Sequence, residues 1–89
     1  MKIKRKIEVT TGDIRKGDRN EVYTCPVALA VNRVLRITNV NVGEDTISFR
    51  FNDGEFALSL PVAVIDWIEK FDMEKKVKPF TFVLRGDNE

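Results

Sequence analysis

Apolar and polar positions divide the chain into alternating and helical stretches. Near the start, Ile3, Ile7 and Val9 share one parity while Lys2, Lys4, Lys6 and Glu8 share the other. That alternation predicts a strand with a polar outer face. Arg5 interrupts the apolar parity, so the beginning of this strand is expected at an edge of the sheet or beyond it. Lysine-rich edges also discourage edge-to-edge pairing. Thr10 or Thr11 is placed to cap a short helical turn through Asp13, Ile14, Arg15 and Lys16, with Gly17 as its stop. Asp18 to Glu21 is polar and reads as loop.

A longer helix follows from Pro26, which suits a first helical position because it lacks an N–H that would be unpaired there. Ala28, Leu29, Asn32 and Leu35 fall at helical spacing, Val31 and Val34 widen the stripe, and Arg33 and Arg36 are expected to face solvent. Three strands come next. Val40 and Val42 alternate with Asn39 and Asn41, then Ile47, Phe49 and Phe51 with Ser48 and Arg50, and then Phe56, Leu58 and Leu60 with Glu55, Ala57 and Ser59. Asn52-Asp53-Gly54 marks a tight hairpin, with Asp53-Gly54 expected to supply the positive φ angles. Pro61 opens a second helix with Val64, Ile65, Ile68 and Phe71 as its inner stripe and Trp67 at the margin. Asp72 to Lys78 is a charged loop, and Phe80, Phe82 and Leu84 define a last strand.

These elements predict an α+β domain of two layers in the order β-α-β-β-β-α-β, with a mainly antiparallel sheet and two helices on one face. Such an arrangement buries both helical stripes and the inward aromatics. Residues 1–86 are expected to form one domain and residues 87–89 a frayed polar tail. The chain has 89 residues, 43% hydrophobic and 33% charged. It is too apolar for disorder and has no apolar run long enough to span a bilayer as a helix. The basic start is not followed by an apolar signal segment, and one cysteine cannot form an internal disulfide. Both point to the cytoplasm.

The residue inventory then narrows the chemistry. There is no histidine, which removes the commonest general base and metal ligand. Zinc therefore lacks its usual donors, no calcium loop is spelled out, and Gly12 and Gly17 are too isolated to cradle a phosphate. The carboxylates of Glu44-Asp45, Asp53-Gly54-Glu55 and Asp72-Met73-Glu74 read as turn chemistry. An enzyme is not expected, nor is a cofactor. Cys25 is the one intrinsic nucleophile, and its place before Pro26 puts it at a helix start, where a thiolate can be stabilised. Without a resolving cysteine or a base, it reads first as a small buried apolar side chain, with a reactive thiol as the alternative.

Binding surfaces are the remaining class. Net charge is +1, but residues 1–40 carry nine Lys/Arg against four Asp/Glu, while residues 41–89 carry six against ten. Lys2, Lys4, Lys6, Arg15, Lys16, Arg19, Arg33 and Arg36 can form a phosphate-tracking face for nucleic acid. The near-neutral total and the lack of interleaved exposed aromatics weigh against a dedicated nucleic-acid binder. For a protein partner, Trp67, Tyr23, Met73 and the loop from Asn20 to Tyr23 are candidate anchors. Trp67 can equally be covering the edge of the core. A homodimer through an exposed strand edge is a further option.

Several stretches resemble a family of small proteins found mainly in bacteriophages and prophages. They are Ile7-Glu8-Val9-Thr10 with Asp13-Ile14 and Gly17, Cys25-Pro26-Val27-Ala28-Leu29-Ala30-Val31, Val42-Gly43, Leu60-Pro61 with Trp67-Ile68 and Phe71-Asp72, and Val77-Lys78-Pro79-Phe80-Thr81-Phe82. The chain departs from that pattern in a longer basic N-terminus and a longer loop before Cys25. The family supplies no catalytic residues to carry over. What the resemblance implies is a phage-type protein of the bacterial cytoplasm that binds a host factor, such as a defence component, without catalysing a reaction.

Overall fold

The computed structural model describes residues 2–87. Its order is β1 (Lys2–Val9), α1 (Thr11–Lys16), α2 (Pro26–Leu35), β2 (Asn41–Val42), β3 (Thr46–Phe51), β4 (Gly54–Ser59), α3 (Val62–Asp72) and β5 (Phe80–Asp87). The architecture is α+β with every strand pairing antiparallel, as the patterning predicts. The strands are divided between two sheets, β1-β5 and β2-β3-β4, where a single sheet was expected. β1 and β5 pair along their whole length, from Lys2 opposite Asp87 to Val9 opposite Phe80. The two sheets meet through side chains: Leu58 of β4 lies so close to Gly86 of β5 that a Cβ there would sit 2.3 Å from the leucine Cδ2. β5 runs on to Asp87, which had been expected to belong to the frayed tail. Asn88 and Glu89 lie outside the described residues.

Of the two alternatives that Arg5 left open, the structure shows the edge: β1 is an edge strand of its two-stranded sheet, and its start is not beyond the pairing. The strand is fully laddered on both sides of it, and Ile3 is buried. Arg5 tolerates its inward parity because a long side chain can carry its charge to the surface. Its guanidinium lies 5.9 Å from the centroid of the Phe51 ring and donates to the Val34 carbonyl at 3.4 Å.

The short helical turn expected through Asp13 to Lys16 is present as α1, a third helix beside the two counted in the expected order. Thr10 is its cap: the hydroxyl accepts the Asp13 N–H at 3.2 Å, and the Asp13 carboxylate accepts the Thr10 N–H at 2.9 Å. This reciprocal pair satisfies two backbone donors that the first helical turn leaves free. Gly17 follows with φ −72° and ψ 147°, an extended conformation open to any residue. Glycine is needed there for another reason, since a Cβ would lie 2.5 Å from the Pro26 ring.

The central helix is α2. Its buried face is Val27, Ala28, Val31 and Leu35, with Ala30 also buried. Leu29, expected on that face, is only half-buried, as is Asn32. The Asn32 amide sits at the margin, where its oxygen accepts the Val40 N–H at 3.4 Å. Helix α2 ends at Arg36, in left-handed geometry at φ 58°, with the Ile37 N–H returning to the Asn32 carbonyl.

In the hairpin, the two turn residues are Asn52 and Asp53, at φ 49° and 63°. Gly54 is already in β4, paired with Phe51. The turn lies one residue earlier than Asp53-Gly54 implied, because two consecutive positive φ angles are what twisted antiparallel strands need across a two-residue loop. Pro61 is likewise the residue before α3, with its carbonyl accepting the Val64 and Ile65 N–H groups. One continuous core joins Ile3, Ile7 and Val9 to Val27, Val31, Ile47, Phe56, Val64 and Leu84. No helix among the described residues is long and apolar enough to cross a membrane.

Candidate functional site

The residues singled out from sequence do not gather in one place. Arg15 and Lys16 project from the last turn of α1 and are exposed, as is Arg36 beyond α2. Arg33 faces solvent as expected but is also held: its guanidinium donates to Asp13 Oδ2 at 2.9 Å and to the Glu8 carbonyl at 2.8 Å. Arg19 is also engaged, donating to the Phe71 carbonyl at 3.2 Å and lying over the Phe71 ring at 5.3 Å. The basic half of the sequence therefore divides between structural arginines and free cations.

Trp67 belongs to an aromatic ladder. Its ring stacks on Phe71 at 5.8 Å and packs at a tilt on Phe80 at 4.7 Å, and Phe80 stacks in turn on Phe82. The indole N–H donates to the Lys78 carbonyl at 2.8 Å. Both the apolar body and the polar tip of the indole are thus used within the chain, and they tie α3 to the approach of β5. Tyr23 is half-exposed and borders a broad, open face of about 810 Å³ with Asn39, Asn41, Ser48 and Arg50.

A second hollow is narrower and more apolar. The loop before α2 lies between β2 and α3, bonded to both. The Val22 carbonyl accepts the Val42 N–H at 2.8 Å, along the edge of β2 not used by β3. The Asn20 N–H donates to the Asp72 carboxylate at 2.9 Å. Between these attachments lies a groove of about 590 Å³, a size common for ligand sites. Val22, Val42, Ile65 and Ile68 supply its apolar lining, and Glu21, Glu44, Glu69 and Asp72 its charged one.

The composition of α3 explains the apolar side. Its stripe is wider than the core can cover: Val64 and Phe71 are buried, whereas Ile65 and Ile68 stay half-buried. These two isoleucines, expected on the inner stripe, do pack against the core, and their remaining surface forms one wall of the groove. Among the described residues the ion pairs are Arg33 with Asp13 and Arg50 with Glu55, and no lysine or arginine lines the groove. Carboxylates of one sign around low-dielectric walls concentrate a negative potential there. The same carboxylates do not form a metal nest, since among the described residues no three His, Cys, Asp or Glu side chains cluster for one.

Cys25 lies at the bottom of this groove and is only 4% exposed. Burial pushes its thiol above the ordinary pKa, and the nearby Asp72 charge adds to that. Backbone N–H groups of Ala28 and Val27 act in the opposite direction and are outweighed. Helix-start activation is therefore overcome by desolvation, and the thiol is held protonated. The groove itself had no local signature in the sequence. Its carboxylates come from positions 21, 44, 69 and 72, two of which had read as turn chemistry. The available hints were the Asn20–Tyr23 loop, singled out as an anchor for a partner and here forming one wall through Asn20, Glu21 and Val22, and the width of the α3 stripe.

In comparisons with known proteins, the chain matches no family model, no curated protein and no solved structure.

Proposed function

We propose that the protein is a non-enzymatic interaction module that binds a partner protein in the groove between the Asn20–Val22 loop, β2 and α3. The observation that carries this reading is the pair Ile65 and Ile68, apolar side chains left half-exposed among carboxylates that make no ion pair among the described residues. Apolar surface in a concave, charged setting is the common form of a recognition site. The phage-type resemblance makes a host protein, such as a defence component, the natural partner class. Affinity capture from bacterial lysate followed by mass spectrometry tests it. The expected result is a stoichiometric partner recovered by the native chain and lost with Ile68→Asp. Equal recovery by both forms, or recovery of no specific partner, overturns it.

A second reading, nucleic-acid binding, is favoured by a specific feature of the β1-β5 ladder. Its outer face carries Lys2, Lys4, Lys6 and Arg85 beside Glu8 and Asp87; Lys2 stands opposite Asp87, but Lys4 stands directly opposite Arg85. Like charges opposed across a ladder cost stability unless an anion lies over them. A two-stranded ribbon of this kind also fits a major groove. A salt-dependent mobility shift of mixed-sequence duplex, weakened by Lys4→Glu, supports this reading; no shift at low salt removes it.

A further inference from the structure

Resting on the interaction-module reading, we infer that the groove takes a cationic amphipathic segment of a partner protein: one apolar side chain flanked closely by lysines or arginines. The apolar anchor seats between Val22, Val42, Ile65 and Ile68. Its flanking cations meet Glu21 and Glu44 on the loop side and Glu69 and Asp72 on α3.

Charge and spacing together select this occupant. Ile65, Ile68, Glu69 and Asp72 follow one another at helical intervals of three, one and three residues. They therefore lie along about 10 Å of one side of α3, at 1.5 Å of rise per residue. An extended peptide advances about 3.3–3.6 Å per residue. Cations within two residues of the anchor on either side thus reach the acidic positions without moving the apolar side chain from its seat. An acidic or neutral apolar segment would meet carboxylates that it cannot pair with, none of which makes an ion pair within the described chain. The Asp72 oxygen already holds the Asn20 N–H, so the loop wall is in place before a ligand arrives.

The experiment uses the full chain and two fluorescent peptides, one with a central leucine flanked by lysines and the other with the same leucine flanked by glutamates. Anisotropy titrations at low and at physiological salt are run on the native protein and on the double variant Glu44→Lys/Glu69→Lys. Both substituted positions are exposed, and thermal unfolding checks that the variant is folded. The lysine-flanked peptide is expected to bind the native chain and to weaken with salt. Binding should fall by about tenfold or more in the double variant, as screened opposite charges require, while the glutamate-flanked peptide gains affinity for that variant.

Equal binding of both peptides, or lysine-peptide binding unchanged by the charge reversals, overturns the inference. So does the absence of binding by folded native protein. Sedimentation run in parallel covers a second copy as occupant: self-association abolished by the double variant also overturns it. If the peptides fail but lysate capture still depends on Ile68, the inference falls and the interaction-module reading stands.

Discussion

Arg33 of α2 reaches the Asp13 carboxylate of α1 at 2.9 Å, on the same Oδ2 that accepts the Thr10 N–H and hydroxyl. One oxygen thus joins a helix cap to a neighbouring helix, and the Arg33 bond to the Glu8 carbonyl adds the end of β1. Asp13 is the one buried charged residue among those described, whereas the Arg33 side chain is 48% exposed. The two partners therefore differ in what their removal leaves behind. Asp13→Ala removes the cap interaction as well as the pair and is expected to cost about 2 kcal/mol. Arg33→Ala removes a solvent-screened partner while the cap remains, and should cost about 1 kcal/mol or less. Urea denaturation of the two variants checks the order; an arginine variant weaker than the aspartate variant contradicts it.

Two glycines test close approach in place of conformational freedom, since neither has a positive φ. At Gly17 an added Cβ meets the ring and the backbone nitrogen of Pro26, at 2.5 and 2.6 Å, with nothing nearby that can rotate away. Gly17→Ala is expected to cost about 2–3 kcal/mol, as for overpacking against a rigid neighbour. At Gly86 the obstacle is the Leu58 side chain, whose Cδ2 can move. Gly86→Ala should cost less, about 1–2 kcal/mol, and that cost should shrink in a Leu58→Ala background. A double-mutant cycle that is additive would show that the sheets do not meet through this pair.

The Asn52-Asp53 turn offers a stabilising change. Both residues hold left-handed φ values that cost a side-chain-bearing residue roughly 1 kcal/mol, least for Asn and Asp. Asp53→Gly creates the Asn-Gly sequence preferred in such turns and is expected to add about 0.5 kcal/mol. A rise in the urea midpoint with an unchanged slope checks it.

That turn also shows what the chain's patterning makes legible. Alternation located the strands, and Asn52-Asp53-Gly54 located the hairpin, because both depend on residues close in sequence. The one-residue offset arose because Asp53-Gly54 is also a turn signal, and only the Phe49–Phe56 pairing decides between the two registers. Helix α2 was found with its face slightly offset: Ala28, Val31 and Leu35 are buried as the period implies, but Leu29 and Asn32 are only half-buried, and Val27 and Ala30 are buried as well. The groove was not legible, because it depends on the Val22–Val42 and Asn20–Asp72 bonds, which join residues 20 and 52 positions apart. Long-range pairing of this kind leaves no periodic trace.

The aromatic ladder makes Trp67 a structural residue with a clear signature. Trp67→Phe keeps an apolar ring between Phe71 and Phe80 but removes the donor to the Lys78 carbonyl, and should cost about 1 kcal/mol. Trp67→Ala empties the stack and should cost about 3 kcal/mol. In folded Trp67→Phe, binding of the lysine-flanked peptide should be unchanged, since Trp67 does not line the groove. A loss of binding there would move the recognition surface to the indole.

Cys25 gives the pH dependence. Its thiol has an ordinary pKa of 9.0, and burial raises it in the folded chain. Below the ordinary value both folded and unfolded chains hold the proton, so the buried thiol's contribution to stability is fully present. As pH rises past that value, the unfolded chain releases the proton while the folded chain keeps it. The folded state then binds more protons than the unfolded state, and stability falls as pH rises towards the folded pKa. Urea midpoints measured from about pH 8 to about pH 10 should decline for the native chain. Cys25→Ala should start lower by about 1 kcal/mol from the atoms removed, and then decline less steeply. Identical slopes would mean that Cys25 ionises equally in both states. Iodoacetamide should label the native thiol slowly at neutral pH and rapidly after denaturation, because at 4% exposure the sulfur is both protonated and covered. Rapid native labelling would instead reveal a groove open to its floor and a thiol free to react.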